Sequence, residues 1–223
     1  MTPLDNAPFA ALTGPHAHFA ESRGAAVRYP ADMSPFTGLP STPSPADWAD
    51  LAALAPHAVV TGHEPPPDWH VDTRLPLLQF VDDGIAAAPE PEAVVLGAAD
   101  VPEMLALASL TKPGPFLPRT VEMGTYLGIR RDGRLVAMAG ERLRVPGYTE
   151  VSAVCTHPEA RGQSLGTRLL LAVADGIRAR GETTFLHVLA SNTGAIRLYE
   201  RLGFRQRLST ELLILTHTGQ ALL

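Results

Sequence analysis

The chain has 223 residues, 45% of them apolar and 18% charged. That suffices for one large domain or two small ones and is too little charge for a disordered chain. The net charge of -5 supplies no cationic face for displacing counterions, which excludes a general nucleic-acid binder. A single cysteine, Cys155, excludes an internal disulfide framework and a cysteine-based zinc site.

Residues 1–92 hold most of the prolines, so this half is expected to consist of short elements joined by turns. Ser44-Pro45-Ala46-Asp47 starts a helix through Leu54 that presents Trp48, Leu51 and Leu54 on one face. Ala58-Val59-Val60 and Leu75 to Val81 read as strands. The proline-broken stretch Ala86 to Glu92 reads as a linker, which divides the chain into units 1–92 and 93–223. The front unit is expected to pack beside the second and to form a wall of its site, because LPLLQFV and the Trp48 face need an apolar partner.

From residue 93 the pattern is regular. Ala93 to Leu96 is a strand, and Asp100 caps a helix through Leu110. Tyr126 to Ile129 is a strand that turns at Asp132-Gly133 into a strand over Leu135–Val145. Pro146-Gly147 turns into Glu150–Thr156, on which Glu150 and Ser152 share one face and Val151, Ala153 and Cys155 the other. A helix follows with Leu165, Leu169, Val173 and Ile177 on one stripe, ended near Gly181. Thr183 to Leu189 is a strand, Thr193 to Leu202 a helix and Leu208 to Thr216 a last strand. Antiparallel hairpins feeding one crossover helix imply an α/β fold with a mixed, mostly antiparallel sheet flanked by helices.

The chemistry-bearing segment runs from Val154 to Thr167, where a strand ends and a helix starts between Gly162 and Gly166. Such a junction gathers backbone N–H groups at the positive end of a helix dipole, with Arg161 and Arg168 adding charge, and suits a pyrophosphate. A glycine at a helix start also serves a turn alone. A second segment, Asn192…Ala195-Ile196…Leu198-Tyr199-Glu200…Leu202-Gly203-Phe204, follows about 30 residues later in a helix-length window. Arg161-Gly162-Gln163-Ser164-Leu165-Gly166 and this second segment together resemble the two signatures of the GNAT superfamily of N-acetyltransferases. The resemblance covers roughly 93–218, and Thr125 to Phe204 looks most like the glycine-N-acyltransferase-like branch. Ser164 stands where the family has its first motif glycine.

The resemblance implies a GNAT-like sheet behind a degenerate front half, acetyl-CoA as cosubstrate and a small-molecule or peptide amine as acceptor. It assigns the pantetheine arm to Val154, Cys155 and Thr156, with the Val154 N–H on the carbonyl oxygen. It assigns the pyrophosphate to Arg161, Gly162, Gln163, Ser164, Leu165, Gly166 and Thr167, and a further arm contact to Asn192. Tyr199 would protonate the leaving sulfur. Glu150 matches a base position, with Glu141 the second candidate.

Other readings stand beside these. Asn192 serves equally as a helix cap, Tyr199 as a packed ring, and His187 reads as a satisfied core histidine. Cys155 reads as an inert strand thiol rather than an acyl carrier. His63, Glu64 and His70 lack zinc spacing, so no metal is expected. The alternative functions are a non-catalytic acyl-CoA-binding module and a protein N-terminal or lysine acetyltransferase. The first residues carry no basic segment before an apolar run, and no run reaches about 18 apolar residues, so neither a leader nor a membrane span is expected. The expected setting is the cytoplasm of a bacterium with a GC-rich genome, since Lys112 is the only lysine, and the expected state a monomer or homodimer.

Overall fold

The computed structural model describes residues 2–220. A short 3-10 turn leads into α1 (Ala7–Leu12), followed by a small sheet of β1 (Glu21–Arg23), β2 (Ala26–Arg28) and β3 (Thr37–Gly38). The helix α2 (Pro45–Leu54) starts as its sequence demands: Ser44 Oγ accepts from the Asp47 N–H at 3.3 Å while Asp47 returns a bond to the Ser44 N–H at 2.7 Å. Then come β4 (His57–Thr61), β5 (Trp69–Asp82), β6 (Val94–Leu96), α3 (Val101–Thr111), β7 (Tyr126–Arg131), β8 (Arg134–Val145) and β9 (Tyr148–Thr156). The chain finishes with α4 (Leu165–Ala179), β10 (Thr183–Leu189), α5 (Thr193–Leu202) and β11 (Phe204–His217). Asp132 and Gly133 both take positive φ, 50° and 81°, which is the turn that two-residue hairpins favour. Asp100 does not cap α3 with its side chain; it accepts from the Gly97 N–H one turn earlier and pairs with Arg130.

Strands β4 to β11 form one sheet in the order β4-β11-β5-β10-β9-β8-β7-β6, mostly antiparallel, with β9 and β10 parallel. The residue 92/93 junction read from composition therefore falls between two strands of a single sheet. Strands β4 and β5 lie within that sheet, whereas residues up to Leu54 lie against it. β5 is longer than the LPLLQFV run and pairs with β11 from Phe204↔Asp82 to His217↔Trp69.

The main core lies between the sheet and α4 and α5. Phe80, Val151, Leu186 and Phe204 meet Leu169, Leu170, Val173 and Ile177 there. The opposite face is covered in three patches: α1 and its neighbours over Leu143, Val145 and Phe185; α2 over Val60, Leu213 and Leu215; and α3 over Met138, Ala153 and Cys155. Among the described residues no helix is long and apolar enough to cross a membrane.

Candidate active site

β9 and β10 pair only over Tyr148–Glu150 and Thr183–Phe185 and then part, although both strands run on. Val151 to Thr156 thus keeps backbone groups that β10 does not use. On its other side β9 carries a bulge: Met138 pairs with Cys155 and Gly140 with Ser152, so one residue of β8 faces two of β9. Ala153 sits in that bulge at φ 53°, an uncommon conformation for a residue with a Cβ. The bulge breaks the simple alternation expected for this strand. Val151 and Val154 pack toward α4, while Ala153 and Cys155 pack toward α3.

This placement changes what Cys155 can do. Its thiol is buried on the α3 side, and burial raises its pKa, so it is neither an exposed nucleophile nor a side-chain contact for a ligand between the strands. Only its main chain borders the parting.

Beyond Thr156 a 3-10 turn, started by His157 accepting from the Glu159 N–H, carries the chain to the start of α4. Arg161, Gly162, Gln163 and Ser164 are exposed, Gly166 and Thr167 half-buried, and Leu165 is buried in the main core. Leu165 thereby anchors the loop, and only its main chain can face a ligand. Ser164 occupies the left-handed region at φ 57° and offers α4 no side-chain cap bond. The hydroxyl of Ser164 is thus left for another partner, at the cost of a conformation that glycine adopts more easily. Gly166 closes the helix onto the strand, since a Cβ there would lie 3.2 Å from Thr156 Oγ1 and 3.4 Å from Val154 Cγ1.

Arg168 departs from its expected role. Its guanidinium is held in two 2.7 Å bonds by Glu90, with Glu92 at 3.2 Å, so its charge is already met by the segment read as a linker. Arg161 is the loop cation for which no ion pair is found among the described residues.

Asn192 caps α5, its Oδ1 accepting from the Ala195 N–H at 3.1 Å. Tyr199 sits half-buried on the α5 side, its ring between Phe80 and Phe204, and burial raises its pKa. It is therefore a protonated phenol at neutral pH.

Glu150 lies across the sheet from Tyr199, fully buried. Arg142 donates to it from Nε at 2.8 Å and Nη2 at 2.7 Å, and His187 Nδ1 lies 2.7 Å away. Burial alone would raise its pKa, but the Arg142 charge and the bonds from Arg142 and His187 outweigh burial and hold it at about 2. A carboxylate so stabilised is a poor proton acceptor by itself.

The network extends outward. His187 Nε2 is 3.0 Å from Gln79 Nε2, which also donates to the Leu4 carbonyl. Arg207 donates to Gln79 Oε1 and pairs with Asp5 and Thr2. Residues 2–5 therefore close over this face. Glu141 does not join the network, being buried against Arg180 from the end of α4 at 2.9 Å. Sequence reasoning missed Arg142, Gln79 and Arg207. For Arg142 a signal existed, since it and Glu150 stand nearly symmetrically about the Pro146-Gly147 turn. For the other two, partners 75 and 128 residues apart leave no local trace.

The family model of FR47-like proteins matches residues 126–213. A crystal structure from Novosphingobium aromaticivorans, assigned to the GNAT acetyltransferases, is 42% identical, covers 97% of this chain and 99% of its own, and superposes with a TM-score of 0.88. A GCN5-related N-acetyltransferase from Kribbella flavida covers 92% of this chain and 93% of its own at a TM-score of 0.60; at 22% identity it supports the fold alone. Mycothiol acetyltransferase from Mycobacteroides abscessus is 37% identical over 92 residues, 41% of this chain and 29% of that protein. The chain thus spans under a third of the length of that curated relative.

Proposed function

The chain belongs to the GNAT family of acetyltransferases, and on that premise we propose that it transfers an acetyl group from acetyl-CoA to a primary amine by direct attack within a ternary complex. The observation that carries this reading is the parting of β9 from β10 beyond Glu150 and Phe185, with the start of α4 at the far end of the freed strand. The main chain of Val154, Cys155 and Thr156 would pair with the pantetheine arm. The N–H groups of Arg161 to Thr167 would take the pyrophosphate, with Arg161 as its cation and the Ser164 hydroxyl as a further donor. Asn192 borders the arm from the start of α5. A likeness to the glycine-N-acyltransferase-like branch rests on residues 125–204 alone.

The amine nitrogen attacks the thioester carbon, a C–N bond forms, the C–S bond breaks, and the amine proton ends on sulfur. Glu150 is sealed, so its contribution passes through His187. Its carboxylate holds Nδ1–H, which leaves Nε2 as the nitrogen that can accept a proton if the Gln79 amide turns aside. Tyr199, on the other face, donates a hydrogen bond to the sulfur. Its raised pKa keeps it protonated but makes full transfer to a thiolate of pKa near ~8.5 uphill, so donation rather than ionisation is its part. A small-molecule amine fits better than a protein terminus or lysine, because residues 2–5 close the Gln79 face. A second reading, an acyl-CoA-binding module without turnover, draws on the complete pairing of Glu150.

Two results test this. Acetyl-CoA without added metal is expected to raise the melting temperature, by about 2.7 kcal/mol of stability at a hundredfold excess over Kd, and Gly166→Glu is expected to abolish the shift. No shift near millimolar ligand would end the cofactor assignment. Tyr199→Phe is expected to lower kcat in a screen of amino acids, polyamines, aminoglycosides and peptides while leaving the acetyl-CoA shift intact. Binding by the wild-type chain with no turnover of any amine would select the second reading.

A further inference from the structure

Five polar side chains form one hydrogen-bonded row across five adjacent strands, in the order β11-β5-β10-β9-β8: Arg207, Gln79, His187, Glu150 and Arg142. His187 and Gln79 are direct partners on β10 and β5. Glu150 pairs with Phe185, the last β10 residue held by β9, so His187 stands where the two strands have parted. Arg207 joins the row through a bulge. Gln206 pairs with Phe80 and Leu208 with Gln79, which leaves Arg207 as the extra residue of β11, aimed at the Gln79 amide.

The direction of every bond in the row is forced from its ends. A guanidinium only donates, and a carboxylate only accepts. Arg207 Nη1 lies 2.8 Å from Gln79 Oε1, so the amide oxygen must face that way. The Leu4 carbonyl, 2.9 Å from Gln79 Nε2, requires a donor there and fixes the same orientation. The second N–H of the amide then points at His187 Nε2, 3.0 Å away, which must present a lone pair. From the other end, Glu150, ionised beside Arg142, accepts the proton of His187 Nδ1 at 2.7 Å. Both ends therefore require one tautomer, with the proton on Nδ1 and the lone pair on Nε2. Gln79 is buried. Were its amide to turn over, the NH2 would meet the Arg207 guanidinium and the oxygen would meet the Leu4 carbonyl, leaving both pairs unbonded.

We infer that Arg207, acting through Gln79, is a positioning residue that keeps the His187 Nε2 lone pair ready for the proton of the attacking amine. This rests on the acetyltransferase reading, in which His187 receives that proton. The amide can turn aside from Nε2 to admit the amine without turning over, because Arg207 and Leu4 still hold its other two groups. Asp5 and Thr2 in turn hold Arg207, so residues 2–5 complete the lock. The proton passes from the amine to Nε2 as the C–N bond forms, on its way to the departing sulfur. Gln79 and Arg207 neither gain nor lose one.

The test is nitrogen-15 NMR of the histidine rings of the full chain in mildly alkaline buffer, with the His187 signals identified by their loss in His187→Phe. Melting curves, the acetyl-CoA shift and turnover of amines are measured alongside. The wild-type ring is expected as the Nδ1–H tautomer alone. Arg207→Met frees the amide to turn over and is expected to give both tautomers and to lower kcat by about tenfold, with the acetyl-CoA shift kept. Arg207→Lys keeps a donor-only group and is expected to restore the single tautomer. Gln79→Glu still meets Arg207 but sets a carboxylate oxygen at Nε2, so it is expected to place a proton there and to lower kcat by about a hundredfold. Asp5→Asn breaks the ion pair behind Arg207 and is expected to lower the melting temperature with the wild-type tautomer kept. A proton on Nε2 in the wild-type chain would overturn the proposal, as would an unchanged tautomer in both Arg207→Met and Gln79→Glu. A locked tautomer in a chain that binds acetyl-CoA and turns over no amine would overturn the transfer reading and leave the lock standing.

Discussion

A chain shortened to begin at Pro89 is expected not to fold. The truncation removes β4 and β5, the two strands that pair with β11 among the described residues, and leaves that strand with unmatched N–H and C=O groups on both sides. It strips β10 of its antiparallel partner, leaving only the three-residue parallel contact with β9. It also deletes Phe80 and Ile85 from the main core, and loss of one buried phenylalanine alone costs about 3–5 kcal/mol. Against a net stability of roughly 5–15 kcal/mol, the sum leaves nothing. Far-UV circular dichroism and a melting curve check it. A soluble product with a cooperative transition and an acetyl-CoA shift would show that residues 89–223 suffice and that β5 is dispensable.

The sequence divides the chain at residues 92/93 and has the front unit pack beside the second, whereas β4 and β5 lie inside the same sheet as β6 to β11, and the difference has a physical reason. Proline content and the weak 86–92 stretch are local signals, and both are real. Glu90 and Glu92 sit in irregular chain, bonded to Arg168 and Arg131. Strand order is not local. Nothing near Trp69 to Asp82 announces a partner more than 120 residues onward at Phe204 to His217, even though Trp69 to Arg74 alternates inward and outward as a strand should. By contrast, the Asp132-Gly133 hairpin and the bounds of α5 were legible because a turn dipeptide and an Asn cap act within a few residues.

The site divides along the same line. The loop from Arg161 to Gly166 was readable from its glycines and its place between strand and helix. The bulge at Ala153 was not, because a single extra residue in a strand leaves the composition untouched while turning Ala153 and Cys155 to the α3 side. Tyr126 was read only as the start of a strand. Its ring lies over Gly140, fourteen positions away, a contact that appears only when β7 and β8 are set in register.

Glu150→Gln is expected to destabilise the protein by about 3–5 kcal/mol at neutral pH, the range for breaking a buried ion pair from one side. The amide keeps the shape of the carboxylate, so the loss reports charge: Arg142 remains buried beside the Phe36 ring with no anion to meet it. Because the Glu150 pKa is depressed in the folded chain, from 4.5 to about 2, its contribution is complete above the unfolded value. It is then lost as pH falls through that window, so the wild-type chain should weaken between about pH 4.5 and 2 while the variant lacks this part of the slope. His16, whose pKa burial lowers from 6.5 to about 4, adds an earlier loss between those values that both chains share. Replacing both partners, Arg142→Met with Glu150→Leu, is expected to recover much of the stability, since the desolvation of both charges disappears with them. It should not recover turnover, because His187 Nδ1 then has no carboxylate to hold it. Urea melts of the three chains at pH 7 and pH 3 decide the matter. A single variant as stable as the wild type, with the same acid slope, would mean that the Arg142–Glu150 pair carries no net stability and that the depressed pKa has another origin.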